Sequence, residues 1–156
     1  ALTRRGVVNF FLSGKEYAVD IGSVREVIYG RTISPLPGAP DYFEGLIDLR
    51  GIVIPVIHLG KRLGSCSSNQ PIQNAHILII EIDRKKVGFV VERVEDVVMI
   101  EKDAVQPAQN LIELPFQVID GVFHYKDRLI LLLRLERLFT PAVLRQITEA
   151  MEQRVA

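Results

Sequence analysis

Short apolar runs separated by polar turn residues make up most of this chain. The runs are rich in Val, Ile, Leu and Phe, and their length and flanking turn residues are typical of β-strands. Polar tetrapeptides at residues 13–16 and 83–86 have the composition of hairpin turns. We therefore predict a mainly all-β fold, with strands at residues 7–12, 17–21, 46–50, 52–59, 76–82, 87–91, 97–100, 117–124 and 128–135.

The clearest hairpin signal is GLIDLRGIVIPVIHLG, residues 45–60. Its centre, Arg50-Gly51, has the form of a two-residue turn, because glycine tolerates the positive φ that tight hairpins require. Residues 45–50 and 51–59 would then fold back on each other, with Arg50 at or near the tip. Since a guanidinium is costly to bury without a partner, we expect Arg50 to meet water, a carboxylate or another protein. Pro55 cannot donate to a strand ladder, which predicts an edge or a bulge there.

The two halves of the chain resemble each other. With residue 11 placed on residue 81, a shift of 70, FLSGKEYAVDIGSVREVI lies on EIDRKKVGFVVERVEDVV without a gap, and Val24 falls on Val94. With residue 45 placed on residue 121, a shift of 76, GLIDLRGIVIPVIHL lies on GVFHYKDRLILLLRL. We predict two similar antiparallel β-units of about five strands each, curled into barrels that avoid open edges. The polar loop at residues 64–74 would divide them.

One helix is predicted, at the C-terminal end in residues 140–156. Thr140 supplies an N-cap and Pro141 the first helical position. Apolar residues then recur at helical spacing at Leu144, Ile147, Met151 and Val155. We expect this stripe to pack on the protein's own β-units, with an amphipathic partner-binding helix as the alternative.

The charge and the cysteine usage narrow the possible functions. The 156 residues include 19 basic and 19 acidic ones, so the net charge is zero, unlike a general nucleic-acid binder. The single cysteine, Cys66, has no internal disulfide partner, which fits a reducing compartment. No apolar run approaches the ~20 residues of a membrane span, and the N-terminus has no signal-peptide pattern. We predict a cytosolic protein without direct membrane insertion.

The sequence lacks the motifs that carry catalysis. His58, His76 and His124 fall in different predicted strands without metal-ligand spacing. There is no G-x-S-x-G, no glycine-rich phosphate loop and no C-x-x-C. We therefore predict no enzyme activity, no cofactor and no metal. A groove at the seam between the two units would suit a partner's helix, and Val24, Val27 and Val94 would border it unless they belong to the core.

Four ordered segments resemble the CheW family of chemotaxis coupling proteins. They are EYAVDIGSVREVI, ISPLPGAPDYFEGLIDLRGIVIPVIHL, VGFVVERVEDVV and DRLILLLRLERLF, and the resemblance covers about residues 7–139. It implies one CheW-like domain of two five-stranded β-barrels sharing a seam. It also implies a non-catalytic scaffold that links the cytoplasmic helical tip of a methyl-accepting chemoreceptor to the regulatory domain of the histidine kinase CheA. That kinase domain is itself CheW-like, so barrels could pair into rings at membrane receptor arrays.

The resemblance also implies site residues. Arg50 matches the arginine of the family's L-R-G motif, Gly45 opens the same hairpin, and Val24, Glu26 and Val27 match the segment associated with receptor contact. An internal salt bridge from Arg50, for example to Glu44 or Asp48, is an open alternative.

Two positions depart from the family pattern. His58 and Arg134 stand where the family often has aspartate, and both replacements are expected to move the surface toward positive charge. A parallel chemosensory system, for twitching motility or surface behaviour, therefore fits as well as swimming chemotaxis.

Three alternatives to a stand-alone coupling protein remain. One is a detached piece of a larger signalling protein: the kinase's regulatory domain, or the adaptor half of a CheW–receiver fusion. The ending EAMEQRVA, with no domain after it, favours a stand-alone protein. The others are a β-barrel that binds nucleic acid or peptide, and an enzyme.

Overall fold

The computed structural model describes residues 3–64, 76–108 and 118–155, and these fold mainly into β-strands. Most predicted strands are present, with β3 as an additional one at a position where no strand was predicted. In chain order the elements are β1 Arg4–Leu12, β2 Lys15–Asp20, β3 Val24–Tyr29, β4 Phe43–Leu49, β5 Ile52–His58, α1 Leu59–Leu63, β6 His76–Ile82, β7 Lys85–Val91, β8 Arg93–Glu101, β9 Ile119–Tyr125, β10 Arg128–Leu133 and α2 Pro141–Val155.

The strands form two five-stranded sheets. The first sheet has the order β8-β1-β2-β10-β9, and the second has the order β3-β6-β7-β5-β4. Neighbouring strands are antiparallel except for β2–β10 and β5–β7, which are parallel. Within the described part of the chain the end strands of a sheet do not pair, so each sheet remains open rather than a closed barrel.

The sheets do not divide as the two sequence halves do. Each half gives its first hairpin to one sheet and its last three strands to the other, so β1–β2 join β8–β10 while β6–β7 join β3–β5. The expectation of one antiparallel unit per half is wrong in this respect. The reason is physical: a repeated pattern reports the hairpins that each half forms locally, whereas the pairing of hairpins depends on long-range contacts.

Each sheet nevertheless curls around its own apolar interior. All five strands of the second sheet contribute to one cluster, Ile28, Ile47, Leu49, Ile54, Val56, Ile77, Ile79 and Val90. All five strands of the first sheet contribute to another, Val7, Ala18, Val98, Ile100, Phe123, Ile130 and Leu132. A third and larger cluster, which includes Phe10, Tyr17, Leu78 and Phe89, joins the two sheets. The predicted fold of two small β-units sharing a seam is thus confirmed.

The C-terminal helix α2 covers part of this seam. The Val143 amide donates to Thr140 Oγ1 at 3.2 Å, as an N-cap requires. Val143 and Ile147 are buried in the shared cluster, whereas Leu144 is 39% exposed. The helix therefore docks through Val143 and Ile147 rather than through Leu144. Met151 and Val155, the other two predicted anchors, have side chains outside the described part.

Two further expectations concern Pro55 and the dividing loop. Pro55 lies in β5, which is not an end strand and has no bulge there, but its β7 side is unpaired, so the predicted edge position is present locally. The β5–β7 ladder starts only at Val56, which accommodates the missing amide hydrogen of the proline. Most of the predicted dividing loop, including Cys66, lies outside the described residues, and its first residue Gly64 ends α1 with φ 74°.

Candidate functional site

The predicted hairpin is present, and Arg50 occupies its tip. Strands β4 and β5 are antiparallel up to the pair Leu49–Ile52. The two turn residues, Arg50 and Gly51, both have positive φ, 53° and 85°. This is the geometry of a type I′ turn, which matches the twist of the flanking strands. The Gly51 amide donates to Asp48 Oδ1 at 2.8 Å, which fixes the turn.

An ion pair joins Arg50 to Glu26, two of the predicted site residues. Arg50 Nη2 donates to Glu26 Oε1. Glu26 lies on β3 and Arg50 follows β4, the two end strands of the second sheet, so the pair bridges the opening of that curled sheet. The alternative of an internal salt bridge from Arg50 is thus present, but its suggested partners are wrong: Asp48 binds the turn amide, and Glu44 pairs with Lys61 at 3.4 Å.

The electrostatics of this pair favour a fully charged state. The hydrogen bond from Arg50 is the main cause that holds the pKa of Glu26 below its usual value, and the charges of Arg50, Lys86 and Arg31 add to it. The Arg50 side chain is 65% exposed and that of Glu26 29%. A guanidinium carries five N–H donors, so Arg50 keeps donors for a carboxylate outside the molecule.

Gly45 contributes to the hairpin through its backbone conformation and its lack of a side chain. It is buried, and its φ is 141°. An alanine Cβ at this position would lie 2.1 Å from the Ser34 carbonyl oxygen. Ser34 and Leu46 exchange two backbone hydrogen bonds of 2.8 Å beside it. Gly45 therefore lets the segment before β4 cross close over the strand, and it offers no side chain to a partner.

The three predicted valines differ in exposure and position. Val27 on β3 is 39% exposed, whereas Val24 and Val94 are half-buried and pack on the shared cluster. Val94 lies on β8 of the first sheet, so it belongs to a different sheet from Val24, Glu26, Val27 and Arg50. The ladders of β3 and β8 are both irregular directly after these equivalent valines, which supports the repeat.

Sequence reasoning missed Tyr29, which is 73% exposed on β3. Side chains two apart on a strand share a face, so the spacing of Val27 and Tyr29 is the signal that could have found it. Together with the Arg50–Glu26 pair, these residues give the β3 end of the second sheet both exposed apolar area and charge. We refer to Glu26, Val27, Tyr29 and Arg50 as the β3 surface.

The two positions that depart from the family pattern, His58 and Arg134, both make local contacts. The His58 side chain is half-buried, and its Nδ1 accepts from the Lys61 amide at 3.1 Å as the N-cap of α1. Burial lowers the pKa of His58, so the neutral imidazole is favoured; in place of an aspartate it still removes one negative charge. Arg134 Nε lies 2.9 Å from Asp120 Oδ1, which compensates its charge.

In the described part of the chain, every helix is too short or too polar to cross a membrane.

Two curled sheets around a shared core, with an arginine at the exposed tip of one hairpin, define the CheW-like class of domain. The model of that family, described as "CheW-like domain", matches residues 6–142. This chain belongs to the CheW family, whose members serve as coupling adaptors in chemotaxis signalling.

Individual relatives agree with this assignment. The chain is 33% identical to a probable chemotaxis protein CheW of Rhizobium etli over 87% of its own length and 88% of the relative's. It is 27% identical to chemotaxis protein CheW of Treponema pallidum, covering 90% of this chain and 85% of that one. The crystal structure of the scaffolding protein TtCheW from Thermoanaerobacter tengcongensis superposes with a TM-score of 0.80 at 32% identity. It covers 86% of this chain and 92% of the other.

Proposed function

We propose that this protein is a non-catalytic scaffold in the cytoplasm, recruited to membrane receptor arrays. In this role it couples the helical cytoplasmic tip of a methyl-accepting chemoreceptor to a CheA-type histidine kinase. The observation that carries the proposal is the exposed Arg50–Glu26 ion pair at the open edge of the second sheet. Val27 and Tyr29 lie on the same end strand as Glu26, on its other face, and are also exposed. The names of the relatives, chemotaxis proteins and a scaffolding protein, support the same pathway. The scaffold role requires no cofactor, metal or nucleic acid.

The β3 surface suits a receptor helix. Val27 and Tyr29 offer apolar contact, and Arg50 offers N–H donors to a carboxylate on the helix. Glu26 restrains the Arg50 side chain before binding, and this lowers the entropy cost of the contact. Val24 is half-buried and supports β3 by packing on the shared cluster. Gly45 supports the hairpin that carries Arg50.

Exposed apolar side chains of the first sheet suit the regulatory domain of the kinase. Val97, Met99 and Leu129 are 51%, 58% and 53% exposed. Under the shifts of 70 and 76 they correspond to Val27, Tyr29 and Val53. Val94 lies on the same strand, β8, as Val97 and Met99. Because the partner domain is CheW-like, equivalent apolar faces of the two proteins can pair, as in other symmetric or pseudo-symmetric assemblies.

Direct binding measurements test the proposal. The purified protein is titrated by calorimetry with a receptor-tip fragment and, separately, with the kinase's regulatory domain from the same organism. We expect Val27→Asp to weaken receptor binding and Met99→Asp to weaken kinase binding, each with the other interaction unchanged. Failure of the unmodified protein to bind either partner would refute the scaffold role.

A further inference from the structure

A groove of about 940 Å³ lies between α2 and the second sheet. Ile52 and Val53 of β5 form its floor, each 51% exposed, and Leu144 of α2 forms one wall with 39% exposure. The turn between β6 and β7 forms the opposite wall. Singly exposed apolar side chains are common, but several that meet in one concave place indicate a binding surface.

The groove follows from how β5 and α2 are anchored. The β5–β7 ladder pairs only Val56, Ile57 and His58, so residues 52–55 have no ladder partner on the β7 side. Helix α2 is held by Val143 and Ile147, which turns Leu144 away from the shared core. The floor strand β5 and the helical wall α2 are thus both fixed by buried side chains, so the space between them is preformed.

The turn wall carries positive charge. Residues 83–86 are Asp83, Arg84, Lys85 and Lys86, three basic and one acidic, for a net charge of +2. None of these three basic residues has an ion-pair partner within the residues that the structure describes. On the helix side Glu152 supplies a single carboxylate. The groove therefore has an apolar floor with one basic rim.

We propose that this groove binds an amphipathic helix of a partner protein, with its apolar stripe on Ile52, Val53 and Leu144 and its flanking carboxylates facing residues 84–86. A helix satisfies its own backbone hydrogen bonds, so it can be recognised by side chains alone. An extended segment fits less well, because β4 pairs with β5 on one side and the free stretch on the other side is short and includes Pro55.

This contact is separate from receptor and kinase coupling. None of the residues of the β3 surface lines the groove, and neither do Val97, Met99 and Leu129 of the first sheet. The described residues that line the groove come from β5, the β6–β7 hairpin, Phe139 and α2, and none of them belongs to the first sheet. It is therefore a third interaction surface of the adaptor, for a helical and acidic partner.

The test uses two synthetic helical peptides of about 18 residues, roughly five turns, with leucine at positions i, i+3, i+4 and i+7. In one peptide the flanking residues are glutamate, and in its twin they are lysine. Binding to the full chain is measured by fluorescence anisotropy. We expect one-to-one binding of the glutamate peptide and at least tenfold weaker binding of the lysine twin. Leu144→Glu and Lys85→Glu should each weaken binding of the glutamate peptide at least tenfold.

Matched controls come from the repeat. Lys15 and Leu129 are the counterparts of Lys85 and Val53 under the two shifts. Lys15→Glu and Leu129→Asp should change binding less than twofold, while Val53→Asp abolishes it. Circular dichroism confirms that each variant is folded, and Leu144→Glu decides the matter if Val53→Asp does not fold. Arg50→Ala should bind the peptide normally, so loss of coupling and loss of groove binding can be told apart.

Four results would overturn the proposal. The first is the absence of binding by the glutamate peptide, and the second is equal binding of its lysine twin. The third is an equal effect of Leu129→Asp and Val53→Asp. The fourth is that a second copy of this chain, or anionic phosphatidylglycerol vesicles, occupies the groove in preference to the glutamate peptide.

Discussion

Replacing Gly45 with alanine tests whether this residue serves the fold or a partner. The added Cβ would lie 2.1 Å from the Ser34 carbonyl oxygen and 3.0 Å from the Pro35 Cα. These are backbone atoms of a bridged segment, so no rotamer change relieves the contact. Overpacking of this kind costs about 1–3 kcal/mol, and a strained positive φ adds about 1–3 kcal/mol. We expect a loss of about 2–6 kcal/mol from a total unfolding free energy of roughly 5–15 kcal/mol.

Urea denaturation followed by circular dichroism measures this loss, with Gly51→Ala as the matched control in the same hairpin. Gly51 also has positive φ, 85°, but an added Cβ there meets nothing within 4 Å. Gly51→Ala should therefore cost only the strain of about 1–2 kcal/mol. We expect Gly45→Ala to lower the free energy of unfolding at least twice as much. If Gly45→Ala keeps wild-type stability and loses only partner binding, the structural role is refuted.

Two further predictions concern charge. His58 has a lowered pKa, so the unfolded state takes up more protons as the pH falls below ~6.5, and stability declines there. A His58→Asn variant keeps a capping acceptor that does not titrate. We expect its urea midpoint to fall less than that of the wild-type protein between pH 8 and pH 5. An equal fall would exclude His58 as the source of the pH dependence. Each single variant, Glu26→Arg or Arg50→Glu, should lower the Tm. The double exchange should bring the Tm back to the wild-type value without restoring receptor binding. Recovery of both in calorimetry would mean that the pair is only a brace.

Much of the fold could be predicted because local patterns determine it. The Arg50-Gly51 turn needs positive φ at two adjacent residues, and the sequence signals this directly. The repeat at a shift of 70 reflects two equivalent hairpins, β1–β2 and β6–β7, each followed by a strand whose ladder is irregular after Val24 or Val94. Strand exchange between the halves could not be predicted, because it depends on which hairpins meet across the shared core.

The resemblance supplied the candidate site residues, but their contacts could not be predicted from the sequence. The resemblance to CheW proteins named both Arg50 and Glu26, but their ion pair spans 24 residues and depends on the curl of the second sheet. Glu44 and Asp48 are nearer in sequence, yet each is already engaged by Lys61 or by the turn amide. The backbone role of Gly45 follows from the path of residues 34–35, which the apolar pattern does not specify.

The affinity of Arg50→Ala for a receptor-tip fragment, measured beside its Tm, tests the coupling role most directly. Arg50 is exposed and exposed ion pairs contribute little to stability, so we expect a Tm close to that of the wild-type protein. Arginines at the centre of an interface are frequent hot spots, so we expect receptor affinity to fall about thirty-fold. Arg50→Glu should bind more weakly still. A large fall in Tm, or unchanged affinity for both receptor and kinase, would contradict the assignment of Arg50 to coupling.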